Sequence, residues 1–282
     1  MDKNLRPMIA ELLGTFGVVF VATAAVCVEG MAHKGGQPTG GLVGIALAYG
    51  LAYAVGLAAT VHISGGFLNP AITLMLWVLK RMDGAKAGGL IFVQLLGAAI
   101  AGGLIRFVFP EDVLIGARLG TPHLNTAAFG QFGVTPGALT WLSGIGMELG
   151  LTFIVTFIVF ATLLDPRAPR ILGPWGNWLA GLWAGLAVVG CTLAGFGMTG
   201  AAANPARWFG PLVWEYTIQA LKIQQPGQDH LVYWVGAFLG ALLAGGAYQA
   251  LILPAEEVTD VAAKASPVGK TSATSTLIKA KK

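Results

Sequence analysis

Charged residues are scarce in this sequence. Asp, Glu, Lys and Arg make up 11% of the 282 residues, whereas about 25% is usual for a soluble globular domain. The mean hydropathy is +0.72, and 41 residues are glycine. This composition argues against an ordinary soluble domain and indicates a protein that exposes apolar side chains to lipid.

Cysteine is almost absent as well. The two cysteines, Cys27 and Cys191, lie inside apolar stretches and show no paired spacing, so we expect neither a disulfide framework nor a metal site, and no cofactor. Neither Ser64 nor Ser143 lies in a Gly-x-Ser-Gly pattern with a partner histidine, as an intramembrane serine protease would require. We therefore expect no enzyme activity.

Long apolar stretches are what the sequence has instead. A helix needs roughly 20 apolar residues to cross about 30 Å of hydrocarbon. Six stretches reach that length, and we predict an all-α membrane protein with spans near residues 8–28, 41–61, 87–109, 140–164, 177–197 and 231–253.

The distribution of cations predicts the orientation. Lys and Arg in short loops stay on the cytoplasmic side of a membrane. Most of them fall on the side that also holds both termini, and the other side has only Lys34, Arg106, Arg118 and Lys222. We expect both termini in the cytoplasm, residues 1–253 as one membrane-spanning domain, 254–282 as a flexible cytoplasmic tail, and no nucleic-acid partner.

The chain also repeats itself. The tripeptide Asn-Pro-Ala occurs twice, at 69–71 and 204–206, and the two copies are 204 − 69 = 135 residues apart. The stretch beginning at Glu11 resembles the one beginning at Glu148. We predict two repeats, about 5–110 and 138–253, and because each holds three spans the second is inverted relative to the first.

The Asn-Pro pairs predict two short helices. Asn is a favoured N-cap residue, and Pro is tolerated at the first helical position. Residues 70–79 would span about 15 Å, half a membrane. We predict two half-helices that enter from opposite faces and meet near the midplane, where Asn69, Pro70 and Ala71 face Asn204, Pro205 and Ala206 and the helix dipoles repel cations.

These motifs carry a family resemblance. The segments "HISGGFLNPAIT", "TGAAANPARWFGP" and "AELLGTF", with the span of Glu148, resemble those of aquaporins, the major intrinsic protein family, over roughly residues 5–253. The resemblance implies six tilted helices with two half-helices, one pore per monomer, and a homotetramer in the plasma membrane. The implied function is a passive water channel that excludes ions and protons.

The resemblance also implies a narrow filter. By position its residues are Tyr49, Thr192, Ala201 and Arg207. Strictly water-selective members have a histidine where this chain has Thr192, whereas the positions typical of the glycerol-conducting branch read Trp208, Leu212 and Tyr233-Trp234. The water branch is the closer match. A channel mainly for urea, ammonia, hydrogen peroxide or glycerol, and a non-conducting structural protein, stay open as alternatives.

Three further residues complete the expected site. The resemblance implies that Glu11 and Glu148 accept hydrogen bonds from the backbone of the pore loops. It places His62 near the cytoplasmic end of the pore, where it either senses pH or makes a plain structural hydrogen bond. A proton-coupled carrier would share the inverted repeat, but its midplane groups would be titratable rather than amides.

Overall fold

The computed structural model describes residues 5–37, 40–168, 175–221 and 229–254, and these residues form helices and loops without strands. The predicted tail therefore lies outside the described residues, apart from Pro254. In chain order the helices are α1 Leu5–Lys34, α2 Gly41–Thr60, α3 Pro70–Val78, α4 Gly84–Val108, α5 Glu111–Gly116, α6 Thr126–Gln131, α7 Ala138–Leu164, α8 Gly176–Thr199, α9 Pro205–Glu215 and α10 Leu231–Ile252.

Six of these helices are long and apolar enough to cross a membrane, namely α1, α2, α4, α7, α8 and α10. They confirm the predicted all-α membrane fold, and their positions match the six predicted stretches. The largest difference is at α1, which continues to Lys34 instead of ending near residue 28. The short helices α3 and α9 begin at the two prolines, where the sequence predicts half-helices.

One segment contains structure that the sequence analysis did not predict. Between α4 and α7 the chain forms α5, α6 and a 3₁₀ turn at Arg118–Gly120. Helices of six residues are too short for their apolar periodicity to stand out.

Pairs of glycines bring the long helices together in equivalent ways in the two repeats. A Cβ on Gly97 of α4 would collide with the carbonyl oxygen of Leu12 on α1, and a Cβ on Gly240 of α10 would collide with that of Leu149 on α7. Small residues at such crossings let helix backbones approach closely in lipid. The α1–α4 contact of the first repeat thus recurs as the α7–α10 contact of the second.

The helices α2 and α8 pack closely against each other. A Cβ on Gly50 would meet the carbonyl oxygen of Gly185 and the side chain of Val189, and a Cβ on Gly181 would meet the carbonyl oxygen of Ala54. Since residue numbers rise along α2 as they fall along α8, the two helices are antiparallel. Successive turns of α8 therefore face successive turns of α2.

Candidate functional site

The two half-helices begin with the same cap. Asn69 is extended (φ −150°, ψ 115°), and its side-chain oxygen accepts a hydrogen bond from the Ala71 N–H. Asn204 is extended (φ −162°, ψ 115°) and accepts from the Ala206 N–H. In each helix a proline follows at the first position, where its missing N–H leaves no hydrogen bond unmade. The predicted helix starts are confirmed.

The loops that lead into these caps share a strained backbone. Leu68 and Ala203, the residues just before the two Asn caps, have φ of 51° and 48°. Two residues earlier, Gly66 and Ala201 have φ of 65° and 48°. A non-glycine residue in this left-handed region costs about 1–2 kcal/mol, so other groups must hold the loops in place.

Glu11 holds the first loop. Its carboxylate accepts hydrogen bonds from the backbone N–H groups of Phe67 (2.9 Å) and Leu68 (2.8 Å) and from the hydroxyl of Ser64 (2.7 Å). The amide of Gln94 on α4 also donates to it, at 2.7 Å. The buried carboxylate thus has a donor for each of its oxygens, which is what a charge in an apolar environment requires.

Glu148 holds the second loop in the same way. It accepts from the N–H groups of Ala202 (3.1 Å) and Ala203 (2.8 Å) and from the hydroxyl of Thr199 (2.6 Å). Thr199 stands where Ser64 stands in the first repeat, 199 − 64 = 135 residues later. Both carboxylates therefore accept hydrogen bonds from the backbone of the loops that precede the two Asn caps.

The two Asn side chains also bind each other's loop. The amide nitrogen of Asn69 donates to the carbonyl oxygen of Ala203 (3.0 Å), and that of Asn204 donates to the carbonyl oxygen of Leu68 (2.8 Å). A primary amide carries two N–H donors. Each Asn thus uses its oxygen for its own cap and one N–H for the opposite loop, which leaves one N–H for a molecule at the junction.

Arg207 lies buried three residues beyond Asn204. Its side chain is 2% exposed, and Nε and Nη1 have no hydrogen-bond partner among the described residues. The guanidinium carbon lies 5.9 Å from the centroid of the Tyr49 ring, within the range of a cation–π contact. Buried donors of this kind need an acceptor, and small polar permeants would supply one.

The other three positions expected to form the filter carry smaller or uncharged side chains. The Tyr49 hydroxyl donates to the carbonyl oxygen of Ala202 at 2.7 Å, and the Thr192 hydroxyl donates to that of Val188 at 2.8 Å. Ala201 contributes a methyl group and is buried in the same cluster as Tyr49. Both hydroxyl protons are therefore committed, and these side chains offer oxygen acceptors rather than donors.

His62 is not brought to the first loop. Its side chain is exposed and lies with Arg6, Ile9 and Ile63 along a surface groove between α1 and the end of α2. No hydrogen bond joins its ring to the loop within the described part of the chain. Ser64, two residues later, has the position next to Glu11.

The sequence analysis did not single out two polar residues that support the loops. Gln94 donates to Glu11, which binds the first loop, and the Tyr233 hydroxyl donates to the carbonyl oxygen of Thr199 at 2.6 Å, where the second loop begins. Trp208 stacks on the Tyr233 ring with centroids 5.2 Å apart. The sequence does contain a signal for Gln94 and Tyr233, namely a polar residue within an apolar span. Such a residue is energetically unfavourable in lipid unless it has a hydrogen-bond partner.

A charged cluster lies at the far end of α9. The His123 ring contacts Asp229 through Nδ1 (2.7 Å) and Glu215 through Nε2 (2.8 Å), and Arg118 pairs with Glu215 at 2.8 Å. Burial disfavours the charged ring, but the hydrogen bonds to Asp229 and Glu215 and the charge of Glu215 outweigh it and raise the pKa of His123. Nearby, the Asn125 N–H donates to the carbonyl oxygen of Met198, which ties this outer segment to α8.

Comparisons with known proteins agree with this architecture. A solved structure described as the aquaglyceroporin from Plasmodium falciparum superposes with a TM-score of 0.70, covering 91% of this chain and 99% of that one. At 21% identity this likeness shows the shared fold.

Sequence comparisons reach further. Aquaporin TIP4-4 of Zea mays is 37% identical over 88% of this chain and 87% of its own length. Aquaporin-4 of Bos taurus is 34% identical over 77% of this chain and 58% of its own length. The family described as "Major intrinsic protein" matches residues 1–248. The chain therefore belongs to the major intrinsic protein family and is closer to its water-channel branch than to its aquaglyceroporin branch.

Proposed function

We propose that this chain is a passive channel that conducts water and excludes ions and protons. The observation that carries the proposal is the junction of α3 and α9, where Asn69 and Asn204 each keep one N–H donor after capping their helices and binding the opposite loop. Membership of the family agrees with a channel rather than an enzyme.

The charges around the junction account for the exclusion of cations. Each helix N-terminus carries about half a positive elementary charge, and Arg207 adds a full charge that is buried nearby. A unit charge 4 Å away repels a cation by about 4 kcal/mol at an effective dielectric constant of 20. Water is neutral, and its oxygen accepts from the amides, so it crosses without this penalty.

Protons are excluded by the direction of the hydrogen bonds. A water molecule that accepts from both Asn69 and Asn204 has its two hydrogens pointing away from the junction. It cannot then accept a proton from a neighbouring water molecule and pass it on. The junction interrupts the relay without stopping the flow of water.

The proposed roles follow from these contacts. Tyr49, Thr192, Ala201 and Arg207 form the filter. The two Asn-Pro-Ala motifs form the junction, and Glu11 and Glu148 hold the loops that connect them to the spans.

Water flux into proteoliposomes tests the proposal. We expect osmotic shrinkage measured by stopped-flow light scattering to be much faster than in protein-free liposomes and to have a lower activation energy. The variant Phe92→Val is a control, because Phe92 is 66% exposed on α4. Native flux no faster than in empty liposomes would contradict the channel and favour a non-conducting structural protein.

A second permeant class is supported by the filter composition. Thr192 and Ala201 are both small, and the Thr192 hydroxyl is turned to Val188. A filter of this kind leaves room for urea or another small neutral solute. Replacing Thr192 by histidine would fill that room, so we expect any urea uptake to fall in Thr192→His while water flux continues.

We further propose a homotetramer in the plasma membrane with both termini cytoplasmic. The tetramer rests on family membership, and the orientation rests on the cation distribution. Arg81 contacts Gln249 (2.9 Å) and the carbonyl oxygen of Leu164 (3.3 Å), near the ends of α10 and α7. This cation therefore lies on the same side as the end of α10, as the proposed orientation requires. Native mass spectrometry would test the tetramer. A terminal fluorescent tag would show which membrane holds the protein, and protection of that tag from added protease would show on which side the terminus lies.

A further inference from the structure

Helix α2 carries two buried tyrosines one turn apart, and each contacts a different pore loop. The Tyr49 hydroxyl donates to the carbonyl oxygen of Ala202 at 2.7 Å, and the Tyr53 hydroxyl donates to that of Phe67 at 3.1 Å. Phe67 and Ala202 are equivalent, since each lies two residues before the Asn of its loop. The two tyrosines therefore flank the Asn junction, one on each side.

The loop carbonyls next to the junction are all engaged. Those of Leu68 and Ala203 accept from the opposite Asn amides, and those of Phe67 and Ala202 accept from the two tyrosines. A hydroxyl that donates its proton still offers lone pairs. At these two levels a permeant therefore meets a tyrosine oxygen as well as the backbone.

Tyr53 belongs to a buried cluster of apolar and aromatic side chains. It is 1% exposed, and the same cluster contains Val18, Val155, Val188 and Phe67. The helices α2 and α8 are antiparallel. The step of one turn from Thr192 to Val188 on α8 therefore runs in the same direction as the step from Tyr49 to Tyr53 on α2.

We propose that Tyr53 is a second specificity-determining residue and forms an inner constriction beyond the Asn junction. This inference rests on the proposed channel function and deepens it. The outer filter is widened by Thr192 and Ala201, and the phenol of Tyr53 narrows the path again on the other side of the junction. Neutral solutes of the size of urea that pass the outer filter are slowed at Tyr53, so that their permeability is lower than the outer filter alone would allow, and water passes both.

The test is the ratio of urea to water permeability in proteoliposomes. Tyr53→Val removes the ring, and we expect the ratio to rise about tenfold, the scale of discrimination by size in a pocket. Tyr53→Phe keeps the ring, so we expect its ratio to stay near the native value. Phe92→Val, exposed on α4, is the matched aromatic-to-valine control and should leave the ratio unchanged.

A double variant sharpens the test. In Thr192→His/Tyr53→Val the outer filter is narrow again, so the ratio should return toward the native value. If Tyr53→Val does not elute as a folded protein from size-exclusion chromatography, Tyr53→Leu replaces it and carries the same expectation.

The outcomes are distinguishable. A Tyr53→Val protein that conducts water with an unchanged ratio overturns the inner constriction and leaves the channel in place. A parallel fall of both permeabilities also overturns it, because it indicates a purely structural tyrosine. Absence of water flux in the native protein refutes the proposed function itself.

Discussion

The two pore loops share the same set of hydrogen bonds but differ in the side chains that follow the Asn caps. In both, a buried glutamate binds two backbone N–H groups and a hydroxyl, and an Asn caps the half-helix. At the position three residues after the Asn, however, the first repeat has Ile72 and the second has Arg207, a separation of 207 − 72 = 135. The hydrogen bonds common to both repeats build the junction, and Arg207, which the first repeat lacks, supplies the fixed charge.

The loops also differ in what supports them from behind. In the first repeat Gln94 donates to Glu11 and to the hydroxyl of Thr73. The residue equivalent to Thr73 is Trp208, which stacks on Tyr233. An amide network thus supports one loop and an aromatic stack the other, so the two repeats should respond differently to equivalent mutations.

Removing the charge of each buried glutamate should give the largest effect. Hydrogen bonds to a charged group contribute about 1.5–3 kcal/mol each. Glutamine keeps one of the two acceptor oxygens, so Glu148→Gln loses the bond from one backbone N–H and should cost about 1.5–3 kcal/mol. Glu11→Gln should cost less, because Glu148 also interacts electrostatically with buried Arg207. Thermal unfolding in detergent measures both, with exposed Glu111→Gln as control. Equal decreases in stability for the two variants would show that the interaction between Glu148 and Arg207 does not contribute to the difference.

Making the repeats alike at the charged position tests the asymmetry itself. In Arg207→Ile the second repeat takes the residue that the first has at position 72. We expect cation and proton leak, followed with a pH-sensitive dye in liposomes, to rise at least about tenfold, since about 1.4 kcal/mol of lost repulsion suffices. Ile72→Val is the control. An unchanged leak would mean that the helix dipoles alone exclude cations.

The helix crossings should respond equally, because there the repeats agree. Gly97→Ala and Gly240→Ala each push a methyl group into a backbone carbonyl of the neighbouring helix, and overpacking of this kind costs about 1–3 kcal/mol. Gly17→Ala, where a Cβ would meet nothing within 4 Å, is the control. Melting temperatures that differ clearly between the first two variants would contradict the structural equivalence of the two helix crossings.

The smallest effect concerns a feature of the second half-helix alone, the cluster around His123. Because the pKa of His123 is raised in the fold, its contribution is fully present below about pH 6.5, the ordinary pKa of histidine, and is lost as the pH rises through the raised value. The charged groups that face it are Glu215, Asp229 and, through Glu215, Arg118.

Thermal unfolding across this range provides the measurement. We expect the native melting temperature to decline as the pH rises, and His123→Gln to show a flatter profile. The same slope in both proteins would assign the pH dependence to other groups.

Spans and half-helices were predictable because each rests on a local signal. A run of about 20 apolar residues or an Asn-Pro pair needs no partner to be recognised. The filter positions came from family resemblance. The roles of Gln94 and Tyr233 depend on partners 83 and 34 residues away, and the contacts of His123 lie 92 and 106 residues away. His62 looked important beside a loop motif, but its side chain points outward, and direction is a property of the folded backbone.

The crossed Asn contacts impose an order on biosynthesis. The carbonyl oxygen of Leu68 takes its hydrogen bond from Asn204, 136 residues later in the chain. At about 5–20 residues per second of translation, the first loop waits roughly 7 to 27 s for its partner to be made. Until then its polar backbone needs water or the insertion machinery as a substitute. A ribosome that stalls between the repeats would therefore leave an unfinished and exposed half-channel.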